Sequence, residues 1–171
     1  PHAWPTPVTQ GVGVGLHNAL VAGNASAWVP WQITGEQPTG HSLMSGCSLT
    51  PKSHTVQHFT RTIPVDSRRI AAEPAFGAVL ASAYYRAGDG RLGIVLINPG
   101  ASHRTVRLRL RNVEGSGPLD LYTTTDGTGY TKEGRVTPRK GVLELPLAAR
   151  SIASLKSAEA GERESGVPTG I

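Results

Sequence analysis

Three side chains that could grip a polar, ring-shaped ligand fall within five consecutive positions. They are Trp28, Trp31 and Gln32, in the stretch Ala27-Trp28-Val29-Pro30-Trp31-Gln32. An indole face packs on C–H groups, and a primary amide exchanges hydrogen bonds with hydroxyls, a combination that suits a sugar. Glu36 follows just beyond and could touch the same ligand, although its position fits a solvated loop carboxylate better. The competing reading of the tryptophans is two core side chains beside a turn. The stretch holds two of the three tryptophans in a chain with only nine aromatic residues (Phe, Trp and Tyr).

Other groups offer less. His54 and His58 are four apart on a predicted helix, a spacing two zinc ligands can use. No glutamate adjoins His54 and no third ligand is evident, so a helix-surface pair is the expectation. His17 and His41 read as packing or loop residues. Ser26, Ser45 and Ser151 sit in no Gly-x-Ser-x-Gly elbow. The glycines of Gly11-Val12-Gly13-Val14-Gly15 follow no strand, which argues against a dinucleotide loop. Asn24-Ala25-Ser26 matches a glycosylation acceptor, but an asparagine that stops a helix explains it as well. Glu73, Asp89, Glu114, Asp120, Asp126, Glu133 and Glu144 fall at turns or outward positions and offer no persuasive catalytic pair. No cofactor and no metal is implied.

The elements that must position these groups change character along the chain. Thr6 could cap a helix with Pro7 in its first turn, continued by Val8, Val12, Leu16, Ala19 and Leu20 and stopped at Gly23-Asn24. Gly11, Gly13 and Gly15 weaken it by about 1 kcal/mol each, so it needs tertiary support. A strand through Trp28 follows, then a loop from Thr34 to about Thr50, then a helix capped by Thr50 and led by Pro51 as far as Arg61. Beyond Pro64 come short strands near 68–73, 78–86, 91–98, 103–111, 118–124, 134–137, 141–147 and 150–156. Turn signals such as Asn98-Pro99-Gly100 and Asp126-Gly127 separate them. This spacing predicts a mainly β fold, an antiparallel, Greek-key-like β-sandwich. Gly93-Ile94-Val95-Leu96-Ile97 reads as a central strand covered on both faces. Residues 157–171 are charged and small, as in a disordered tail.

Composition narrows the classes. Gly 21 and Pro 13 of 171 favour turns and short strands over a helical bundle. No apolar run reaches the roughly 18 residues of a membrane span. A single cysteine, Cys47, excludes an internal disulfide. The net charge of +5 is modest, and Arg104, Arg107 and Arg109 alternate with Val106, Leu108 and Leu110 like the wet face of a strand. Without stacking aromatics interleaved among the arginines, nucleic-acid binding is not expected.

Four stretches together resemble the C-terminal part of glycoside hydrolase family thirty, in the clan of (β/α)₈-barrel retaining enzymes. They are Leu16-His17-Asn18-Ala19-Leu20 with Gly23 to Gln32; His58-Phe59-Thr60-Arg61; Asp89-Gly90-Arg91-Leu92 through Asn98-Pro99; and Leu145-Pro146 with Ala149-Arg150-Ser151-Ile152. The likeness covers about residues 7–156. It departs from the family pattern at Pro64-Val65-Asp66, where an Ile-Arg-Pro-Gly turn is usual, and at Pro30, where the family carries an aromatic. The resemblance implies three parts. Residues 1–62 would be the last helix–strand–helix of a barrel, 63–156 the β-sandwich and 157–171 the tail.

By the same resemblance the parent protein is a secreted retaining glycosidase. Its acid/base and nucleophile carboxylates, about 5–5.5 Å apart in such enzymes, belong to barrel strands upstream of Pro1. Trp28, Trp31, Gln32 and Glu36 would contact substrate, and this polypeptide alone would be inactive. The Trp-Gln strand end looks like members acting on xylan, β-1,6-galactan or β-1,6-glucan, with glucosylceramide-type substrates less favoured. Partners would be the glycan and the barrel of the same protein. The alternative is a non-catalytic carbohydrate-binding or structural β-sandwich module, with Tyr84, Tyr85, Tyr122, Tyr130 and Phe76 as its aromatic candidates.

Overall fold

A computed structural model describes residues 8–30, 32–35, 42–73, 79–113 and 117–158. A turn of π-helix over Val8–Gly13 leads into helix α1 (Val14–Val21). Three short strands follow, β1 (Gln32–Gly35), β2 (Ser42–Ser45) and β3 (Ser48–Leu49), then helix α2 (Pro51–Thr60). Eight strands complete the chain: β4 (Arg68–Ile70), β5 (Leu80–Arg86), β6 (Arg91–Asn98), β7 (Arg104–Arg109), β8 (Leu119–Thr125), β9 (Thr128–Val136), β10 (Val142–Leu147) and β11 (Ser151–Ser157).

The apolar run in β6 is the spine. Every residue from Leu92 to Asn98 is buried, as expected for a strand covered on both faces. β6 lies inside a six-stranded antiparallel sheet of order β4-β5-β6-β11-β8-β9, where β11 inserts between β6 and β8 in a Greek-key-like crossover. Alternation divides its side chains between two cores. Leu92, Ile94 and Leu96, with Ala153 and Leu155 of β11, meet Leu143, Leu145 and Leu147 of a two-stranded sheet formed by β10 and β7. Val95 and Ile97, with Ile152, meet Leu16 and Phe59 from the helices. The fold is thus mainly β, a sandwich with a helical cover on the outer face of its larger sheet. β7 has the wet face expected for it: Arg104, Arg107 and Arg109 are exposed, and Arg107 faces Glu144 across the strand pair at 3.5 Å.

The helices are held by specific contacts. Gly93 sits where the chain leaving α2 crosses β6; a Cβ there would lie 2.2 Å from the Thr62 carbonyl oxygen, so only glycine fits. At the start of α2, Pro51 takes the first helical turn and Thr50 is extended, as Pro at N1 favours. The Thr50 hydroxyl does not cap the helix as expected. It donates instead toward the carbonyls of Ser42 (3.0 Å) and Leu43 (2.9 Å), tying α2 to β2. At the N-terminal end, the glycines at 11 and 13 fall in the π-helical turn, where wider backbone geometry replaces the regular helix expected.

Two expectations fail in the segment before α2. The strand through Trp28 is absent: residues 22–30 have no regular structure, and β1 starts only at Gln32. Pro30 has no N–H for a ladder, and the apolar side chains ahead of it have no core to enter, with Trp28 37% and Val29 84% exposed. The expected loop of 34–50 instead contains β2 and β3. β2 pairs parallel with β1 and antiparallel with β3. Among the described residues, the other edge of β1 carries no strand. At the far end β11 runs to Ser157, and the Ala158 N–H still donates to the Pro118 carbonyl at 3.1 Å. The rest of the expected tail lies outside the described residues.

Candidate functional site

The tryptophan-and-amide group is only partly placed. Trp28 lies in the irregular run before β1 with more than a third of its surface exposed, and Gln32, partly buried, opens β1. Trp31, Glu36, His41, Phe76 and Glu114 lie outside the described residues. Trp28 is therefore not the core residue of the competing reading.

Four of the described carboxylates of the sandwich, Asp89, Asp120, Asp126 and Glu133, have cation or hydroxyl partners. Asp89 bonds Arg86 and lies 3.2 Å from Arg91. The Arg86 hydrogen bond is the main reason its pKa falls to about 2. Asp120, buried, is held by Arg135 (3.0 Å) and Lys132 (3.3 Å). Asp126 lies 4.0 Å from Arg150, and Glu133 accepts from the Thr123 hydroxyl. Each is matched to a cation or hydroxyl from a neighbouring turn or strand. Paired catalytic carboxylates would instead need each other's company.

His58 corrects the expected surface pair. It is wholly buried, with Nδ1 2.8 Å from the Ser154 hydroxyl and Nε2 2.8 Å from the Thr124 hydroxyl. A neutral imidazole can donate at one nitrogen and accept at the other, so the ring bolts α2 to β11 and β8. Burial, helped by nearby His54, pulls its pKa from 6.5 to about 3. Its partners are 96 and 66 positions away, beyond the reach of local pattern reading. His54 is partly buried against Gly129, where a Cβ would come within 2.9 Å of its ring. Beside it a shallow groove of 190 Å³ runs between α2 and the β8–β9 turn, lined by Pro51, Thr124, Thr125, Asp126 and Thr128. His17 is buried, as a packing role requires. No group of three or more His, Cys, Asp or Glu that could hold a metal occurs among the described residues.

The tyrosines separate into two kinds. Tyr84 is buried in the sheet, and burial raises its pKa. Tyr122 and Tyr130 instead stack face to face, with centroids 4.7 Å apart and planes 9° apart. Tyr130 meets His58 edge-on at 4.8 Å and lies under the Arg61 guanidinium at 5.8 Å. Lys156 and Lys132 stand 5.5 and 6.0 Å from the Tyr122 ring centre. The Tyr130 hydroxyl is buried; burial and then Tyr122 raise its pKa, and the Thr62 and Ser154 side chains oppose that shift. The sequence offers these tyrosines as candidates but does not reveal that they meet.

Architecture first defines the class: a β-sandwich with a helix-bearing segment on its outer sheet face, the fold of the C-terminal region of family 30 glycoside hydrolases. A family 30 subfamily 8 xylanase from Clostridium acetobutylicum is similar with a TM-score of 0.74 at 20% identity, over 86% of this chain and 38% of that one. A family 30 endoxylanase from Clostridium papyrosolvens C71 gives 0.72 at 19%, over 86% and 37%. A family 44 endoglucanase from Clostridium thermocellum shares the fold more loosely, at 0.55 and 12% over 62% of this chain and 23% of that one. No family profile matches the sequence. The chain spans less than two fifths of the length of these xylanases. No helix among the described residues is long and apolar enough to cross a membrane.

Proposed function

We propose that this polypeptide is the C-terminal part of a secreted retaining glycoside hydrolase acting on a β-linked glycan, with residues 1–62 completing a (β/α)₈ barrel and the sandwich bracing it. The observation that carries the reading is the fold match over 86% of the chain to two family 30 xylanases, at 37–38% of their length. Xylan is the first substrate to test, with β-1,6-galactan and β-1,6-glucan after it. Another protein of the same fold, at 21% identity, is described as a conserved exported protein of Bacteroides fragilis, which supports an extracellular site of action.

In this reading Trp28, Trp31, Gln32 and Glu36 line the glycone side of the cleft. Trp28 supports it by being exposed in the run before β1, a strand with no paired strand on its other edge among the described residues. The acid/base and nucleophile come from other barrel strands, and the covalent glycosyl-enzyme intermediate forms there. The chain alone then has no catalytic pair. Incubating it with aryl β-xylosides, xylan and β-1,6-galactan is expected to release no product, whereas the polypeptide joined to its barrel hydrolyses one of them. Turnover by the isolated chain would overturn the proposal.

A second reading, a glycan-binding module without chemistry, is favoured by one observation: the stacked Tyr122–Tyr130 pair within the sandwich.

A further inference from the structure

For Asn24 the sequence offers two competing roles, a helix stop and a glycan acceptor. In the fold these roles use different atoms. α1 is stopped through the backbone: Asn24 takes a left-handed φ of +48°, which asparagine tolerates, and the Ala25 N–H donates back to the Ala19 carbonyl at 2.9 Å. The Asn24 side chain takes no part in that stop. Its Oδ1 accepts from Arg69 at 3.5 Å, and its Nδ2 has no hydrogen-bond partner among the described residues. Asn24 and Ser26 are both exposed, in a stretch without regular structure. The chain has four asparagines, Asn18, Asn24, Asn98 and Asn112. Only Asn24 has serine or threonine two positions on, and the intervening Ala25 is not proline. Asn112 makes the contrast, being exposed with a φ of +55° but followed two positions on by Glu114.

We propose that Asn24 is an N-glycosylation site, modified when the chain passes through a eukaryotic secretory pathway. The donor is an oligosaccharide joined through N-acetylglucosamine to a lipid pyrophosphate. Asn24 Nδ2 attacks C1 of that sugar and the Nδ2–C1 bond forms. The C1–O bond to the pyrophosphate breaks, its electron pair leaves with the lipid pyrophosphate, and Nδ2 loses one proton. No oxidant or reductant takes part. Ser26 supplies the hydroxyl that the acceptor pattern requires. The folded chain accommodates the product. Nδ2 gives up no bond, and Oδ1 keeps its lone pairs for Arg69, because the amide carbonyl survives the reaction. Asn98 shows the opposite case: it is wholly buried, and its Nδ2 donates to the Ser102 and Ala148 carbonyls at 2.9 and 2.7 Å. A glycan on Asn24 also adds hydrophilic bulk to the run that leaves Trp28 and Val29 exposed. The inference rests on the secreted part of the functional proposal. The two can fail separately, because the modification is read as mass and needs no turnover.

The experiment is secretion of the whole chain from a eukaryotic host, followed by electrophoresis and peptide mass mapping before and after treatment with peptide-N-glycosidase. One step of retarded mobility is expected, collapsed by the enzyme, with aspartate appearing at position 24 in the treated peptide. Ser26→Ala should abolish the step, and Ser26→Thr should retain it. Ser26 is exposed, so Ser26→Ala should melt within error of the enzymatically deglycosylated native chain. Glu114→Thr gives Asn112 the same acceptor pattern at a second exposed, left-handed position and should add a second step. That variant shows whether the host can modify this fold. A native chain that emerges unmodified overturns the proposal. So does a step that survives in Ser26→Ala, which would put the modification on another residue.

Discussion

The six-stranded sheet and the small β1–β3 sheet use similar apolar residues and treat them in opposite ways. In the large sheet Val95, Leu96, Ile97, Ile152 and Leu155 are wholly enclosed, because β10–β7 covers one face and the helices the other. Around the small sheet Val29, Ile33 and Leu49 are 84%, 63% and 48% exposed. Side-chain chemistry does not separate the two groups; the presence of a second layer does. The sandwich supplies its own second layer. The segment before α2 has only a partial one among the described residues, where α2 is tied to β2 through Thr50 and leaves Ile33 and Leu49 uncovered.

The comparison breaks most sharply under truncation. Leu96→Ala opens a cavity between two layers and should cost about 3 kcal/mol, whereas Ile33→Ala should stay within about 0.5 kcal/mol. Urea denaturation of the two variants checks this, and equal losses would mean that β1 is as well packed as β6. His58→Ala should cost about 3 kcal/mol, since it removes a buried ring and leaves the Ser154 and Thr124 hydroxyls without their bonds. The same residue sets a pH dependence. Its folded pKa of about 3 lies below the unfolded 6.5, so the unfolded chain binds the proton first. Stability from this group is full above pH 6.5 and falls as pH drops toward 3. Asp89 acts lower, below its ordinary 3.8 and down to about 2. Denaturation midpoints at pH 7 and pH 4.5 should therefore differ in the native chain and differ less in His58→Ala. A Cβ at Gly93 would press on the Thr62 carbonyl, so Gly93→Ala should cost about 2 kcal/mol, read as a lower melting temperature.

How much of the molecule is legible in its sequence depends on whether the cause is local. The two-sided burial of β6 is readable from its unbroken apolar run, and Asn98-Pro99-Gly100 and Asp126-Gly127 mark where strands end. The pattern predicts β9 only over 134–137, yet the strand starts at Thr128. Glycines at 129 and 134 and the register shifts opposite Leu121 to Thr125 break the alternation that reveals a strand. β2 and β3 escape pattern reading because Ser42–Ser45 and Ser48–Leu49 are too short and polar to show a period. The expected strand through Trp28 rests on apolar content and gives Pro30 too little weight. At the site level the tyrosines and the histidines are visible as residue types. Their meeting across α2, β8, β9 and β11 is a tertiary fact that no spacing encodes.

The smallest predicted effect sharpens the comparison from its exposed side. With Trp28 37% open, its ring contributes little to holding the chain together, and Trp28→Ala should change stability by less than about 1 kcal/mol. Its exposure should still be measurable, because an indole in contact with water is quenched by acrylamide. Trp28→Phe is expected to remove a strongly quenched fraction of the emission while leaving the melting temperature within error of the native chain. If the lost fraction proves resistant to quenching, or the melting temperature falls by several degrees, Trp28 is a core residue after all. The case for a sugar-facing indole would then fail, while the enclosed packing of β6 would stand unaffected.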